Sequence, residues 1–365
     1  MRVLLVTKPL EPPWNDSGKV VPRDLVMGSS GRHELHVLAG PGDEGAWPPH
    51  VRVHHVYRDS GRLSPRRGSH LRLIAGVWSR RREFDLLHFF FQPHPAASRA
   101  ARMLARACRR PAVHTVLSAP RAGAPVRGLL FADRSVTLSR HTAGLLAAAG
   151  TRPPDVVPPG LAETERIDPA RVERARREAG VEAPFLLYPG DFEFSGGYEL
   201  LLEAWLGAAD LPVLLLAGRD KTPRAAERRR ALEEAACDPR AGERVRVLGA
   251  VADMPALIAA SAGLLFPAES LYAKSDLPIV VLETWREEKP VLVRDLPPLA
   301  EAVEGAGLVL PARAPEWAAA ARSLAADGAR LGALGRERFL ERHTARAMAG
   351  RYEAIYDAFE KRGRG

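Results

Sequence analysis

Glu283 stands inside a stretch whose composition suits nucleotide chemistry: residues 278–293 read PIVVLETWREEKPVLV. An apolar run leads to the carboxylate, a polar turn comes next, and KPVLV has the pattern of a buried strand. A helix beginning near Pro278 would carry proline at a favoured first position. Its N-terminal amides and positive dipole end suit a diphosphate, and a carboxylate about a turn further on can accept hydrogen bonds from ribose hydroxyls. By spacing alone, Glu283 reads more readily as a helix-surface carboxylate. Several cations could meet phosphate charge. Arg219 and Lys221 come after LLLAG at the carboxyl end of an expected strand, where open α/β sheets bind ligands. Lys274 precedes the helix, and Lys19 comes after Gly18 in the loop beyond the first strand. Residues 13–20 do not form a P-loop, because the earlier glycine is absent and Val20 stands where Ser or Thr is needed. The run Asn15-Asp16-Ser17-Gly18 also reads as a turn before a capped helix.

His88, His94, His114 and His141 are scattered through the first half, with His88 and His114 inside expected strands. Each also reads as a satisfied structural histidine. No pair has metal-ligand spacing in the sequence, and no GxSxG elbow for a serine nucleophile occurs. Cys108 and Cys237 lie far apart, outside any CxxC or Cys/His cluster, which argues against a disulfide framework or zinc site.

These residues need a scaffold, and the pattern around them supplies one. Strands are expected at 3–7, 34–38, 51–56, 86–91, 112–117, 135–139 and 155–157, with helices at 20–27, 71–82, 96–109 and 141–149. Several strands are continuous apolar runs, as parallel strands covered on both faces require. A proline-rich break spans 151–169. The alternation then restarts, with strands at 185–188, 212–217, 245–248, 263–266, 290–293 and 307–310. Helices are expected at 198–206, 223–236, 254–260, 279–288, 315–326 and 330–341, and a last amphipathic helix covers 344–359. The alternation predicts an α/β chain with two Rossmann-like, doubly wound domains. Residues 1–160 are expected to form the first domain and 161–343 the second, with a last helical segment at 344–362.

At 365 residues and 46% apolar content, the chain can build two cores. No run of about 18 uncharged apolar residues occurs, so no membrane-spanning helix is expected. The short apolar N-terminus reads as a first strand rather than a signal peptide, which points to a cytoplasmic protein. The net charge of +9 is uneven: residues 1–165 hold 24 Lys/Arg against 13 Asp/Glu, while the remainder is close to neutral. A basic half implies an anionic partner, such as a phospholipid surface, a lipid-phosphate acceptor or nucleic acid. No nucleic-acid-binding motif supports the last. The Arg-rich helical patterns at 71–82 and 100–110 fit peripheral contact with the inner face of a membrane, and fit ordinary Rossmann helices equally well.

The segment FPAESLYAKSDLPIVVLETWREEKPVLV resembles the donor-binding signature of retaining GT-B glycosyltransferases of the family 4 (group 1) type. Glu283 matches the second glutamate of that signature, and Lys289-Pro290-Val291 the strand start beyond it. FLLYPG at 185–190, the helix begun by Gly196-Gly197-Tyr198, the strands at 214–218 and 245–254, and the connector VVPPG at 156–160 agree in order and spacing. The resemblance implies donor contacts from Gly190, Asp191, Gly197, Ser275, Asp276, Leu277, Ile279 and Glu283. It implies acceptor contacts from Ser17, Gly18, Lys19, His114 and Ser118, two Rossmann-like doubly wound domains facing a central cleft, and a helix at 344–362 that packs back on the first domain. The chain departs from the signature at four places. Ser275 stands eight residues before Glu283 in place of the first glutamate; Asp191 and Gly196 stand in place of a diphosphate-gripping Arg and Lys. Leu117 aligns with the histidine beside the reacting sugar, and His114 faces the opposite side by parity. A carboxylate near two phosphates is repulsive, so Asp191 must point away, pair with a base, or serve another ligand.

By this resemblance the chain is expected to be a retaining transferase that moves a sugar from a nucleotide-diphosphate donor, used as co-substrate with no further cofactor and no metal. Arg219, Lys221 and Lys274 are the candidate leaving-group stabilisers. The alternative from another class is a GT-B-fold binding or scaffold protein without activity, which the four departures also accommodate.

Overall fold

The computed structural model describes residues 1–43, 45–57, 67–121, 123–164, 166–194, 196–220, 222–271 and 274–364. The chain divides into two compact units. The first comprises Met1–Glu163, Tyr272–Leu277 and Arg342–Gly365; the second comprises Thr164–Leu271 and Pro278–Glu341.

In the first unit the strands are β1 (Arg2–Val6), β2 (Glu34–Ala39), β3 (Val51–His55), β4 (Leu86–Phe91), β5 (Ala112–Val116), β6 (Arg134–Thr137) and β7 (Asp155–Val156). Among the described residues they form one parallel seven-stranded sheet in the order β3-β2-β1-β4-β5-β6-β7. Helices α1 (Ser17–Gly28), α2 (Arg67–Ser79), α3 (Pro95–Cys108) and α4 (Arg140–Ala148) make the crossovers. In the central strands β1, β4 and β5 nearly every side chain is buried, because helices cover both faces. Such strands must be apolar on both faces, which is why their sequences are continuous apolar runs rather than alternating ones.

The second unit restarts with α5 (Pro169–Glu178). Its strands are β8 (Phe185–Pro189), β9 (Val213–Ala217), β10 (Val245–Leu248), β11 (Gly263–Phe266), β12 (Val291–Arg294) and β13 (Leu308–Leu310). They form a parallel sheet in the order β10-β9-β8-β11-β12-β13. Its helices are α6 (Tyr198–Leu206), α7 (Pro223–Ala236), α8 (Met254–Ala260), α9 (Ile279–Arg286), α10 (Pro297–Val303) and α11 (Ala314–Arg342). In both sheets the strand order reverses beside the first strand, between β1 and β4 and between β8 and β11. Ligands bind at such switch points, outside the carboxyl ends of the strands.

The last helix, α12 (Ala345–Arg364), belongs to the first unit. It lies so close to α1 that a Cβ at Gly28 would fall 2.3 Å from the Ala345 carbonyl carbon. Polar ties fix it further. The backbone N–H and hydroxyl of Ser30 donate to Glu353 at 2.7 and 2.9 Å. His88, wholly buried in β4, bridges the Tyr356 hydroxyl at 2.6 Å and the Thr115 hydroxyl at 2.8 Å.

Three helical readings differ from the sequence pattern. α5 begins at the end of the proline-rich segment. It was hidden because its sequence, PARVERARRE, buries little beyond Ala175, while its Asp168 cap and first-turn Pro169 are also turn signals. α10 is a short, proline-started helix that carried no clear period. The two helices expected at 315–326 and 330–341 are one continuous helix of 29 residues. Two of its interior glycines are packing notches. A Cβ at Gly332 would lie 2.2 Å from the Glu288 carbonyl oxygen, and one at Gly335 would lie 2.2 Å from Cδ1 of the buried Trp285.

Glycine to alanine in an open helix gains up to about 1 kcal/mol, whereas overpacking costs about 1–3 kcal/mol. Gly332→Ala meets rigid backbone, so the second effect wins and the melting temperature falls. Gly350→Ala in α12, where a Cβ meets nothing within 4 Å, raises it. Parallel thermal melts of the two variants check both signs.

Candidate active site

The carboxyl edge of the second sheet is built by loops that approach one another very closely. After β8, the Gly190 N–H donates to the Ala217 carbonyl at 2.8 Å, and a Cβ there would lie 2.4 Å from the Tyr198 hydroxyl. Phe192 turns inward and fills the space over Gly218, where a Cβ would fall 2.5 Å from its ring. Gly196 and Gly197 take φ of +65° and +79°, a left-handed conformation that favours glycine. A Cβ on Gly197 would lie 2.2 Å from the Pro267 carbonyl oxygen, and one on Gly196 would lie 2.6 Å from the Glu269 carboxylate. A side chain at 196 would displace the exposed Glu269 carboxylate and hold a left-handed backbone that favours glycine.

Asp191 is buried. Its Oδ1 accepts the backbone N–H groups of Glu193 at 3.1 Å and Phe194 at 3.0 Å, closing its own turn. Two like charges about 4 Å apart repel by about 4 kcal/mol at an effective dielectric of 20. A carboxylate bound into its own turn amides has part of that charge answered locally. Glu193 accepts from the Thr222 hydroxyl, which caps α7. Arg219 is half-buried directly after β9 and Gly218. Lys221 lies outside the described residues.

Helix α9 runs back from the same edge. The helix begins at Ile279, as the pattern placed it, and Pro278 is its extended N-cap instead of its first helical residue. Val281, Leu282, Thr284 and Trp285 face inward. Ile279, Glu283 and Arg286 share the half-exposed stripe, since residues three and four apart lie on one helix face. Glu283 therefore stands one turn above the N-terminal amides, on the side a ligand at that terminus would occupy. Tyr198 was not singled out from the sequence. Its hydroxyl is buried against Gly190 and meets no hydrogen-bond partner among the described residues.

The remaining candidates gather in the first unit. Asp16 caps α1 by accepting the Gly18 N–H at 2.8 Å and holds Lys8 at 2.7 Å. Ser17 opens the helix, half-buried. Lys19 does not extend toward solvent: its Nζ donates to the Glu11 carbonyl at 2.7 Å, 6% exposed, and burial lowers its pKa. Gly18 approaches the Leu117 side chain at the end of β5. There the Asp276 N–H donates to the Leu117 carbonyl at 3.0 Å, and the Asp276 carboxylate accepts the Ser139 hydroxyl at 2.7 Å and the Ala119 N–H at 3.3 Å. Burial pushes the Asp276 carboxyl up, and the Ser139 hydrogen bond opposes this. Ser139 also caps α4, a role the sequence did not disclose. Ser118, Ser275 and Leu277 are buried beside this cluster, and Lys274 is half-buried. Neither serine hydroxyl meets a partner among the described residues. Asp276 is thus engaged within the first unit, while Glu283 belongs to the second.

His114 is buried among Phe91 and Phe131, with its Nε2–H donating to the Phe91 carbonyl at 3.1 Å. His94 precedes α3 as its cap without a side-chain bond, and His141 lies in α4.

The comparisons with known proteins agree with this architecture. Residues 183–327 match the family described as Glycosyl transferases group 1. That match lies almost wholly within the second unit. No curated protein sequence matches the chain. Among solved structures, Anabaena HepE in complex with UDP and glucose superposes with a TM-score of 0.77 at 18% identity, covering 98% of this chain and 100% of that one. Sucrose-phosphate synthase from Thermosynechococcus elongatus gives 0.77 at 18% identity, covering 99% of each chain. WaaG, a glycosyltransferase involved in lipopolysaccharide biosynthesis, gives 0.63 at 17%, covering 97% of this chain and 99% of that one. At these identities the likeness is one of fold, and the fold is GT-B.

Burial lowers the pKa of His114 from 6.5 to about 4, and that of His88 well below 6.5. Folding therefore favours the neutral rings. Their contribution is complete above pH 6.5 and is lost as pH falls toward 4, because the unfolded chain binds the protons first. Melting temperature should fall across that window, and fall less steeply in His114→Met. Identical slopes in the two proteins would remove His114 from this account.

Proposed function

We propose that the chain is a retaining glycosyltransferase that moves a hexose from a nucleoside diphosphate donor to an acceptor held by the basic first unit. One observation carries this reading. Within the stretch that matches the group 1 glycosyl transferase family, Glu283 lies one turn beyond the N-terminus of α9 at the carboxyl edge of the sheet. Helix amides there meet diphosphate oxygens, and the carboxylate accepts from ribose hydroxyls. Arg219 is the cation of the second unit that we assign to the departing phosphate, where negative charge develops. Glu283, Gly190 and Gly197 shape the donor site, and the Asp276 cluster with Gly18 and Ser118 shapes the acceptor side. HepE has been crystallised with UDP-glucose, which makes a UDP-hexose the first donor to test.

The acceptor is read as an anionic amphiphile. On the first unit, Leu71, Ile74 and Trp78 of α2 are exposed, and Arg81 lies over the Trp78 ring at 4.2 Å. On α3, Arg99, Met103 and Arg106 share an exposed stripe. Apolar side chains interleaved with guanidinium groups suit the boundary of an anionic bilayer. The involvement of WaaG in lipopolysaccharide synthesis supports an acceptor of that type.

Glu283→Ala is expected to weaken UDP binding by about 1.5–3 kcal/mol, the scale of a hydrogen bond to a charged group. Calorimetric titration of UDP into both proteins reads this directly, and unchanged affinity removes Glu283 from the donor site. Vesicle sedimentation checks the acceptor side. Binding should require anionic lipid, fade as salt shortens the Debye length below about 10 Å, and weaken in Trp78→Ala. Equal binding to neutral vesicles at high salt would exclude an electrostatic mode.

A further inference from the structure

The edge of the first sheet brings together two histidines that lie 18 residues apart in sequence. In the β2–β3 register His36 pairs with Arg52 and Leu38 with His54, so Glu34, His36, Arg52 and His54 stand on one face of the sheet. His36 Nδ1 lies 3.0 Å from His54 Nε2. Glu83, from the turn after α2, completes the group, and one ligand atom from each of the three residues lies within 4.8 Å of the others.

We infer that His36, His54 and Glu83 form a binding site for a first-row divalent cation of the zinc class. Two imidazole nitrogens and a carboxylate oxygen are a donor set that zinc accepts with a water in the fourth position. Bonds of about 2.0–2.1 Å at tetrahedral angles place ligand atoms about 3.3 Å apart. The two nitrogens are within a few tenths of an ångström of that separation, and exposed Glu83 has room to close in.

The surroundings orient the ligands. His36 is 1% exposed, and its Nε2–H donates to Glu34 Oε1 at 2.9 Å, which leaves Nδ1 as the lone-pair nitrogen directed at His54. A carboxylate behind a ligating imidazole is the usual outer-shell partner of a metal-bound histidine. The neighbouring cations are engaged elsewhere: Arg52 pairs with Glu34, and Arg80 donates to the Gly76 carbonyl at 3.1 Å. In the metal-free form His54 donates its Nε2 proton to His36. In the bound form that hydrogen resides on His54 Nδ1, so both coordinating nitrogens are unprotonated. The ion would tie the edge strand β3 to β2 and to the chain leading into β4.

The full chain, stripped with chelator and dialysed against zinc sulfate, should retain one equivalent by elemental analysis and melt at a higher temperature than the stripped protein. Cobalt(II) should give the visible absorption of a tetrahedral site. His54→Gln and Glu83→Gln alter half-buried and exposed side chains, and each should lower zinc affinity at least 10-fold with an unchanged circular dichroism spectrum. Glu34→Gln should lower it 10- to 100-fold through His36. Absence of stoichiometric zinc would overturn the site. So would zinc binding that survives both His54→Gln and Glu83→Gln, including binding lost only on replacing Asp357, which sits with His33 and Glu360 in a second cluster.

Discussion

A parallel sheet covered by helices on both faces has no place for a polar side chain except at its ends, and this constraint sets where chemistry can occur in both units. The strands β4, β5, β8 and β11 bury almost every residue. Polar groups left inside must be satisfied in place, as His88 is by Tyr356 and Thr115. The groups of the candidate donor and acceptor sites lie instead beyond the carboxyl ends of these central strands. There the loops after β8, β9 and β11 crowd one another: a Cβ at Gly190, Gly197 or Gly218 would fall 2.4, 2.2 or 2.5 Å from a neighbouring atom, and one at Gly196 would displace the Glu269 side chain. Backbone amides are thereby brought to the switch point, and the site is made of main chain before it is made of side chains.

The same compression decides what the acidic groups of the loop can do. Asp191 closes its own turn, and Glu193 reaches the capping hydroxyl of α7. Both carboxylates serve the fold of the loop. Position 191 is thus committed to the shape of the loop, while Gly196 answers to a separate constraint, its left-handed backbone. In the first unit Lys19 shows the converse case. Its ammonium stabilises the path of the chain at Glu11.

Most of the architecture was legible in the sequence because parallel strands are written as unbroken apolar runs and their crossovers as helical periods. The second-domain helices α6, α7 and α8 begin and end where the pattern placed them. The pattern failed where a local signal has two meanings. Asp168-Pro169 announces a turn and also caps a helix; Gly332 and Gly335 announce a break and also permit close packing of α11. The site was legible where sequence neighbours are also spatial neighbours, as along α9 from Ile279 to Glu283. Tyr198, Ser139 and the His36–His54 pair were not, because strand register and loop docking bring them into place, and neither leaves a trace in spacing. Asp276 and Glu283 are only seven residues apart, yet the chain crosses from one unit to the other at Leu277 and Pro278, so they serve different units.

The balance of charge at the second-unit edge then bears on how a diphosphate would be held. An Arg and a Lys at the positions of Asp191 and Gly196 would each add a charge-assisted hydrogen bond of about 1.5–3 kcal/mol. A helix N-terminus contributes about 0.3–1 kcal/mol at an exposed site and up to about 2 in a partly buried one. The amides of α9 therefore replace only part of that pair, and Arg219 is the remaining described candidate on the second unit. A donor held this way depends more on the ribose contact of Glu283 and on shape than on phosphate charge. Affinity for the nucleotide would be less sensitive to salt than a grip of several cations, while the salt-dependent interactions of the molecule would lie in the arginine-rich first unit. Under the proposed reading, recognition of the donor by backbone and carboxylate, and of the acceptor by guanidinium groups, would give the two substrates different electrostatic signatures on one chain.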